Sequence, residues 1–247
     1  MQKEGFLYRD RLKAVVTCEH ATPFIPAAYR KHFPADRSRL ATHRGWDIGA
    51  LVLARRISRS LASPLMRSRV SRLLVDLNRS VGRPGLFSGA ALRFSEEQKI
   101  LILNQYYFPY RSRVETMARN LIRAGHRVLH LSVHSFTPVF GGKTRGTDIG
   151  LLFDPGRNGE REFCTLWRNG IRESRPGLSV HFNRPYRGDS DGLTSAMRDF
   201  WPENQYLGIE LEVNQKFFSV ENRGAGRRIR EIVVAALPFR LGESDAP

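Results

Sequence analysis

Four short apolar runs in this chain each end in a side chain suited to chemistry, and segments of helical period separate them. LKAVVTC (12–18) runs into Glu19 and His20, and SRLLVDLNRS (71–80) turns abruptly from Leu73, Leu74 and Val75 to Asp76, Asn78 and Arg79. HRVLHLSVHSFTP (126–138) alternates on a period of two and delivers His134 towards its far end; YLGIELEVNQ (206–215) does the same for Glu212. A period of two sends successive side chains to opposite faces of a strand, whereas a fully buried strand reads as a continuous apolar run. Strands alternating with helices predict an α/β fold: a single three-layer domain with a mostly parallel or mixed central sheet and helices on both faces. Ligands of such sheets gather at the carboxyl ends of the strands, which makes the four polar strand ends the place to look for a site.

The intervening segments fit this plan. DIGALVLARRISRSLA, from Asp47, has apolar residues at helical spacing and predicts a helix with an acidic start. From Ser95 to Ala124 the pattern predicts two helical pieces, interrupted near Pro109 and capped at Gly125. Residues 148–155 and 178–188 read as further strands, 158–174 and 225–237 as helices. No internal repeat, low-complexity stretch or linker divides the chain, so one domain over residues 1–247 is expected. At 247 residues, 41% of them hydrophobic, the chain can bury a core of that size.

Composition narrows the function classes. No stretch approaches the roughly 18 to 20 apolar residues needed to span a bilayer, and MQKEGFLYRDRLK lacks the apolar centre of a signal peptide. A cytoplasmic protein that does not enter a membrane is expected. Cys18 and Cys164 make no thiolate-metal or disulfide spacing. The formal net charge of +16, from 40 Lys+Arg against 24 Asp+Glu, brings up nucleic acid as a partner. However, arginines such as Arg55, Arg59, Arg111 and Arg227 are scattered, with no RNA-binding aromatic signature or zinc-finger spacing beside them. A positive field serves a small anionic substrate equally well, and that is the expected partner.

Taken singly, His20 and His134 read as hydrogen-bonded structural histidines or as metal ligands. A catalytic zinc takes three protein ligands from His and Asp/Glu and leaves a position for water, which it acidifies. Asp47 offers the carboxylate, although on the bare sequence an Asp at this place reads as a helix cap. Asn78 and Arg79 together can grip a carboxylate through charge-assisted hydrogen bonds; the bland reading pairs Arg79 with Asp76 in a surface turn. Arg72 is open to a substrate role or a surface one. Glu210 and Glu212 share a strand face opposite Ile209, Leu211 and Val213, and two carboxylates on an inner strand are costly to bury without partners. Glu212 lies nearer the carboxyl end, where it would take a proton from water or pair with an arginine.

Read together and in order, CEHATPFIP, HRGWDIGA, SRLLVDLNRS, VHSFTP, NRPYRGDSDG and IELEVNQ resemble the N-formylglutamate amidohydrolase family over nearly the whole chain. The plan is more distantly similar to zinc carboxypeptidases and aspartoacylases. The resemblance implies a zinc-carboxypeptidase-like fold and a Zn2+ ion, or another divalent metal, held by His20, His134 and Asp47. Asp47 is assigned through the helix that follows it, with Glu19 and His43 as competitors. It also implies that Asn78 and Arg79 hold the substrate carboxylate, that Glu212 is the general base and that Arg72 or Arg79 stabilises an oxyanion. The implied reaction is hydrolysis of the amide of a small N-acyl amino acid such as N-formylglutamate. The alternatives are a carboxypeptidase-type peptidase and a basic nucleic-acid-binding protein on a hydrolase fold. Oligomeric state is not legible.

Overall fold

The apolar runs at 12–18, 127–136 and 206–214 form neighbouring strands of one sheet. The computed structural model describes residues 11–33, 37–219 and 222–238; the opening residues read above for a signal peptide lie largely outside these. In chain order the elements are β1 (Leu12–Cys18), α1 (Ala27–Arg30), α2 (Arg37–Leu40), α3 (Ala50–Ser60), β2 (Leu65–Arg67), α4 (Glu96–Ile102), α5 (Phe108–Arg123) and β3 (Arg127–Phe136). There follow β4 (Val139–Phe140), β5 (Lys143–Thr144), β6 (Ile149–Leu152), α6 (Asn158–Ser174), β7 (Val180–Phe182), α7 (Leu193–Arg198), β8 (Tyr206–Asn214) and α8 (Arg223–Ala235). Six strands make one sheet in the order β2-β1-β3-β8-β6-β7, and β4 and β5 form a small hairpin. β2, β1, β3 and β8 are mutually parallel, while β6 runs antiparallel to β8 and parallel to β7. The sheet is therefore mixed, and the carboxyl ends of β1, β3 and β8 lie at one edge. In this register His134 stands opposite Glu212.

The two faces of the sheet differ in kind. One carries Ala14, Val16 and Cys18 of β1, Leu129, Leu131 and Val133 of β3, and Ile209, Leu211 and Val213 of β8, all packed with residues of α3, α6 and α8. Each fully buried Val, Leu or Ile side chain of this set contributes about 1.5–3 kcal/mol. The other face starts apolar, where Val15, Val128 and Tyr206 meet Val114 and Ala118 of α5 and Leu193 and Met197 of α7. Towards the carboxyl edge it turns polar while remaining buried, with Thr17, Glu19, His130, Ser132, His134 and Glu212.

Three local expectations need correction. Residues 71–80 are turns rather than a strand. Leu73, Leu74, Val75 and Leu77 bury themselves in a separate cluster with Phe33, Phe94, Ile102 and Tyr107, and β2 takes the sheet edge beside β1 instead. An apolar run reports burial, not a hydrogen-bonded neighbour. The helix after Asp47 starts at Ala50, because Gly49 adopts a left-handed conformation (φ 85°) before it. A Cβ at Gly49 would lie 2.3 Å from the Phe218 ring, so no larger residue fits there. Finally, α4 and α5 are joined without a break by a π-helical turn, Leu103–Tyr107, and Pro109, which has no N–H to donate back to that turn, follows it directly. Gly125, with φ 84°, follows the last turn of α5 in the left-handed conformation expected of a C-terminal cap, and α6 covers 158–174 as read from the sequence.

Candidate metal centre and active site

His20 follows β1, His134 lies near the end of β3, and Asp47 precedes α3, and all three are buried. Asp47 is fixed from its backbone, since its N–H donates to the His20 carbonyl at 2.9 Å and its own carbonyl accepts from Ala50 N–H at 3.2 Å. Its side chain does not cap α3 but turns to the histidines. Asp47 Oδ2 lies 2.9 Å from His134 Nδ1 and 3.4 Å from His20 Nδ1, and it accepts the Ser135 N–H at 3.2 Å. One ligand atom from each of His20, Asp47 and His134 falls within 4.8 Å of the others.

The far side of each imidazole determines what the near side can do. His20 Nε2–H donates to Asp76 Oδ1 at 2.7 Å. His134 Nε2–H faces Glu19 Oε2 at 3.1 Å and Ser132 Oγ at 2.8 Å, and Ser132 itself donates to Glu19 at 2.6 Å. A carboxylate behind each ring holds the proton on Nε2 and turns the Nδ1 lone pair inward. Two lone pairs and a carboxylate oxygen then converge, an arrangement that repels itself unless a cation lies between them. Bonds of about 2.0–2.1 Å to a tetrahedral zinc place neighbouring ligand atoms about 3.3 Å apart, close to the 2.9 and 3.4 Å that separate Asp47 Oδ2 from the two Nδ1 atoms. The residues fit a divalent metal.

The same carboxylates govern the titration of the rings. Burial opposes the charged form of both histidines, yet Asp76 and Asp47 hold His20 above its usual range, and Asp47 and Glu19 hold His134 well above it. Burial likewise opposes ionisation of Glu19, Asp47 and Asp76, but the histidines keep all three well below the usual carboxylate range. Three carboxylates around two imidazoles favour positive charge on the rings, which protons or a metal supply.

Glu212 is different. Burial pushes it up to about 8; His134 and His20 pull it down and Asp47 and Glu210 push it further up. Its Oε2 is buried and finds no hydrogen-bond partner among the described residues. A buried oxygen without a partner costs roughly 1–3 kcal/mol or more, which is tolerable where substrate or water supplies the partner. Glu210, on the same face, accepts the Thr194 hydroxyl at 2.9 Å instead.

Arg72 Nη2 donates to Asp76 Oδ2 at 2.8 Å, with Nη1 3.5 Å from Asp47 Oδ1, and its charge reaches His20, so it borders the candidate metal site and is not a detached surface residue. Asp76 also accepts the Asn78 N–H at 2.9 Å, tying the DLNR turn to His20. Asn78 Oδ1 accepts the Leu193 N–H at 2.7 Å, leaving its NH2 as the donor end. Arg79 donates to the Asp191 carbonyl at 3.2 Å, and its backbone carbonyl accepts from Tyr107 of the π turn at 2.7 Å. Of the competing ligands, Glu19 stands behind His134 and receives Tyr110 OH at 2.9 Å. His43 is half-buried near Arg44 and Arg72, which, after burial, hold it below its ordinary pKa. From the sequence alone Asp76 reads only as a partner for Arg79; its place inside DLNR, like that of Glu19 inside CEH, is the available signal.

A family model described as N-formylglutamate amidohydrolase matches residues 12–219. Among solved structures, the gene product Atu2144 of Agrobacterium tumefaciens superposes with a TM-score of 0.75 at 27% identity, over 91% of this chain and 90% of its own. An N-formylglutamate amidohydrolase from Ralstonia eutropha JMP134 superposes with a TM-score of 0.67 at 16% identity, over 91% of this chain and 92% of its own. At that identity the likeness speaks for the fold. No curated protein matches the sequence.

Proposed function

We propose, starting from the fact that the chain belongs to the N-formylglutamate amidohydrolase family, that it hydrolyses the amide of a small N-acyl amino acid, N-formylglutamate foremost, with a divalent metal, zinc first. The observation that carries this reading is the convergence of His20 Nδ1, Asp47 Oδ2 and His134 Nδ1, with the unpartnered oxygen of Glu212 opposite His134 in the register.

A metal held by His20, Asp47 and His134 supplies Lewis acidity, polarising the amide carbonyl and acidifying water. Glu212 Oε2, as the carboxylate, takes the proton of the attacking water and returns it to the leaving nitrogen, a role that needs a carboxylate oxygen within hydrogen-bond reach of that water. Arg72, anchored by Asp76, faces the negative charge that develops on the carbonyl oxygen. The Asn78 NH2 and Arg79 hold the carboxylate of the amino acid, with Asp191 and Leu193 fixing their orientation. Glu19 and Asp76 keep the ring protons of His134 and His20 on Nε2. For an N-formyl amino acid the products are formate and the free amino acid.

The reading is tested by assaying zinc-loaded protein on a panel of N-acyl amino acids. Release of formate from N-formylglutamate is expected, with loss on chelation and recovery on adding metal back. Metal-free protein of undiminished activity would contradict it.

A further inference from the structure

Arg72 pairs with Asp76 and Asp47, Arg79 with Asp191, and Arg187 with Asp189. Arg145, just past β5, has no carboxylate partner among the described residues. Its guanidinium carbon instead lies 4.7 Å from the ring centroid of Phe140, 5.2 Å from Tyr186 and 5.5 Å from Phe136, and Nη1 donates to the Tyr186 hydroxyl at 3.1 Å. Aromatic rings packed on a planar guanidinium fix its orientation and leave its remaining N–H groups to bond elsewhere.

This cation stands beside the site. Phe136 follows His134 by two positions on β3, so both side chains leave the same face, about 6–7 Å apart along the strand. Tyr186 arrives by an equally constrained route. The Arg184 carbonyl packs onto Gly150, where a Cβ would lie 2.1 Å from that oxygen and 3.2 Å from the Glu212 Cβ; the segment carrying Tyr186 therefore crosses the sheet next to Glu212. The charge of Arg145 also reaches His43, as those of Arg72 and Asp47 do.

We propose that Arg145, oriented by Phe136, Phe140 and Tyr186, is the residue that selects an acidic substrate side chain, taking the distal carboxylate of an N-acyl dicarboxylic amino acid. Asn78 and Arg79 already account for the α-carboxylate, and a planar fork of donors suits a second one. The proposal rests on the amidohydrolase reading above for the identity of the reaction, but not for the binding itself.

The test has two arms. In the first, kcat/KM for N-formylglutamate and for its neutral isostere N-formylglutamine are compared in zinc-loaded wild-type protein, Arg145→Ala and Arg145→Lys. The preference for the acid is expected to fall about 10- to 100-fold in Arg145→Ala, with Arg145→Lys in between and metal content equal in all three. In the second arm, binding of N-acetylglutamate methylamide and N-acetylglutamine methylamide to the metal-free protein is measured by calorimetry, which reads side-chain recognition without turnover. Wild-type preference for the acid that Arg145→Ala erases supports the assignment even if no N-formyl compound is hydrolysed, an outcome that sinks the proposed reaction alone. Equal preference in wild type and Arg145→Ala in the binding arm overturns the role of Arg145.

Discussion

His130 and His134 leave the same face of the same strand and are equally buried, at 1% and 3% exposure, yet their surroundings differ in kind. The ring of His130 lies between two hydroxyls, with Thr17 Oγ1 2.8 Å from Nε2 and Tyr206 OH 2.6 Å from Nδ1. A hydroxyl can donate or accept, so this pair satisfies a neutral imidazole in either tautomer, and burial pushes its pKa down to about 4. His134 has carboxylates at both ends, Glu19 and Asp47. Carboxylates only accept, so one ring nitrogen is left facing an acceptor unless a proton or a metal intervenes. Burial of a histidine therefore says little about function; what its two nitrogens meet says much more.

The largest effect that would sharpen this contrast comes from the unpartnered oxygen. Glu212→Gln is expected to lower turnover by about 10²- to 10⁴-fold while leaving the bound metal in place, as read by steady-state kinetics beside elemental analysis. Substantial activity in that variant would remove Glu212 as the base.

A smaller effect comes from behind the ligands. Asp76→Asn and Glu19→Gln keep the shape of the partner but weaken its hold on the ring proton, and metal affinity should fall about 10- to 100-fold in a competition titration with a chromogenic chelator. Wild-type affinity in both variants would mean that the tautomers are set by something else.

The smallest effect belongs to His130. His130→Gln should leave metal affinity unchanged and cost about 1–3 kcal/mol of stability. Since the folded pKa is depressed below that of the unfolded chain, His130 contributes fully at neutral pH. That contribution is lost as the pH falls from about 6.5 towards 4, because the unfolded ring takes up a proton that the folded one does not. Wild-type protein should lose up to about 1.4 kcal/mol per pH unit in that window relative to His130→Gln, measured by urea unfolding at a series of pH values. Parallel pH profiles for the two proteins would show that the ring is not held neutral.

How much of this was legible in the sequence follows from the range of each interaction. β1, β3, β8 and α6 were readable because their periodicity is local, and the sheet brought His20, His134 and Glu212 to one edge because parallel strands share their direction. Asp47 read as a helix cap because nothing local announces that Gly49 delays the helix. DLNR read as a strand end because Leu73, Leu74 and Val75 are as buried as strand residues while lacking strand neighbours. The carboxylates behind the histidines were the least visible, since Asp76 meets His20 across 56 positions and Glu19 is held by Ser132 across 113. Such contacts exist only once the sheet has formed.

The central claim is that Nδ1 of His20, Oδ2 of Asp47 and Nδ1 of His134 together hold a metal, and it is tested most directly by metal stoichiometry. Wild-type protein and His130→Gln, reconstituted with zinc and dialysed, should each retain about one ion per chain, and His134→Ala and Asp47→Ala close to none. Equal zinc in His134→Ala and His130→Gln would contradict it.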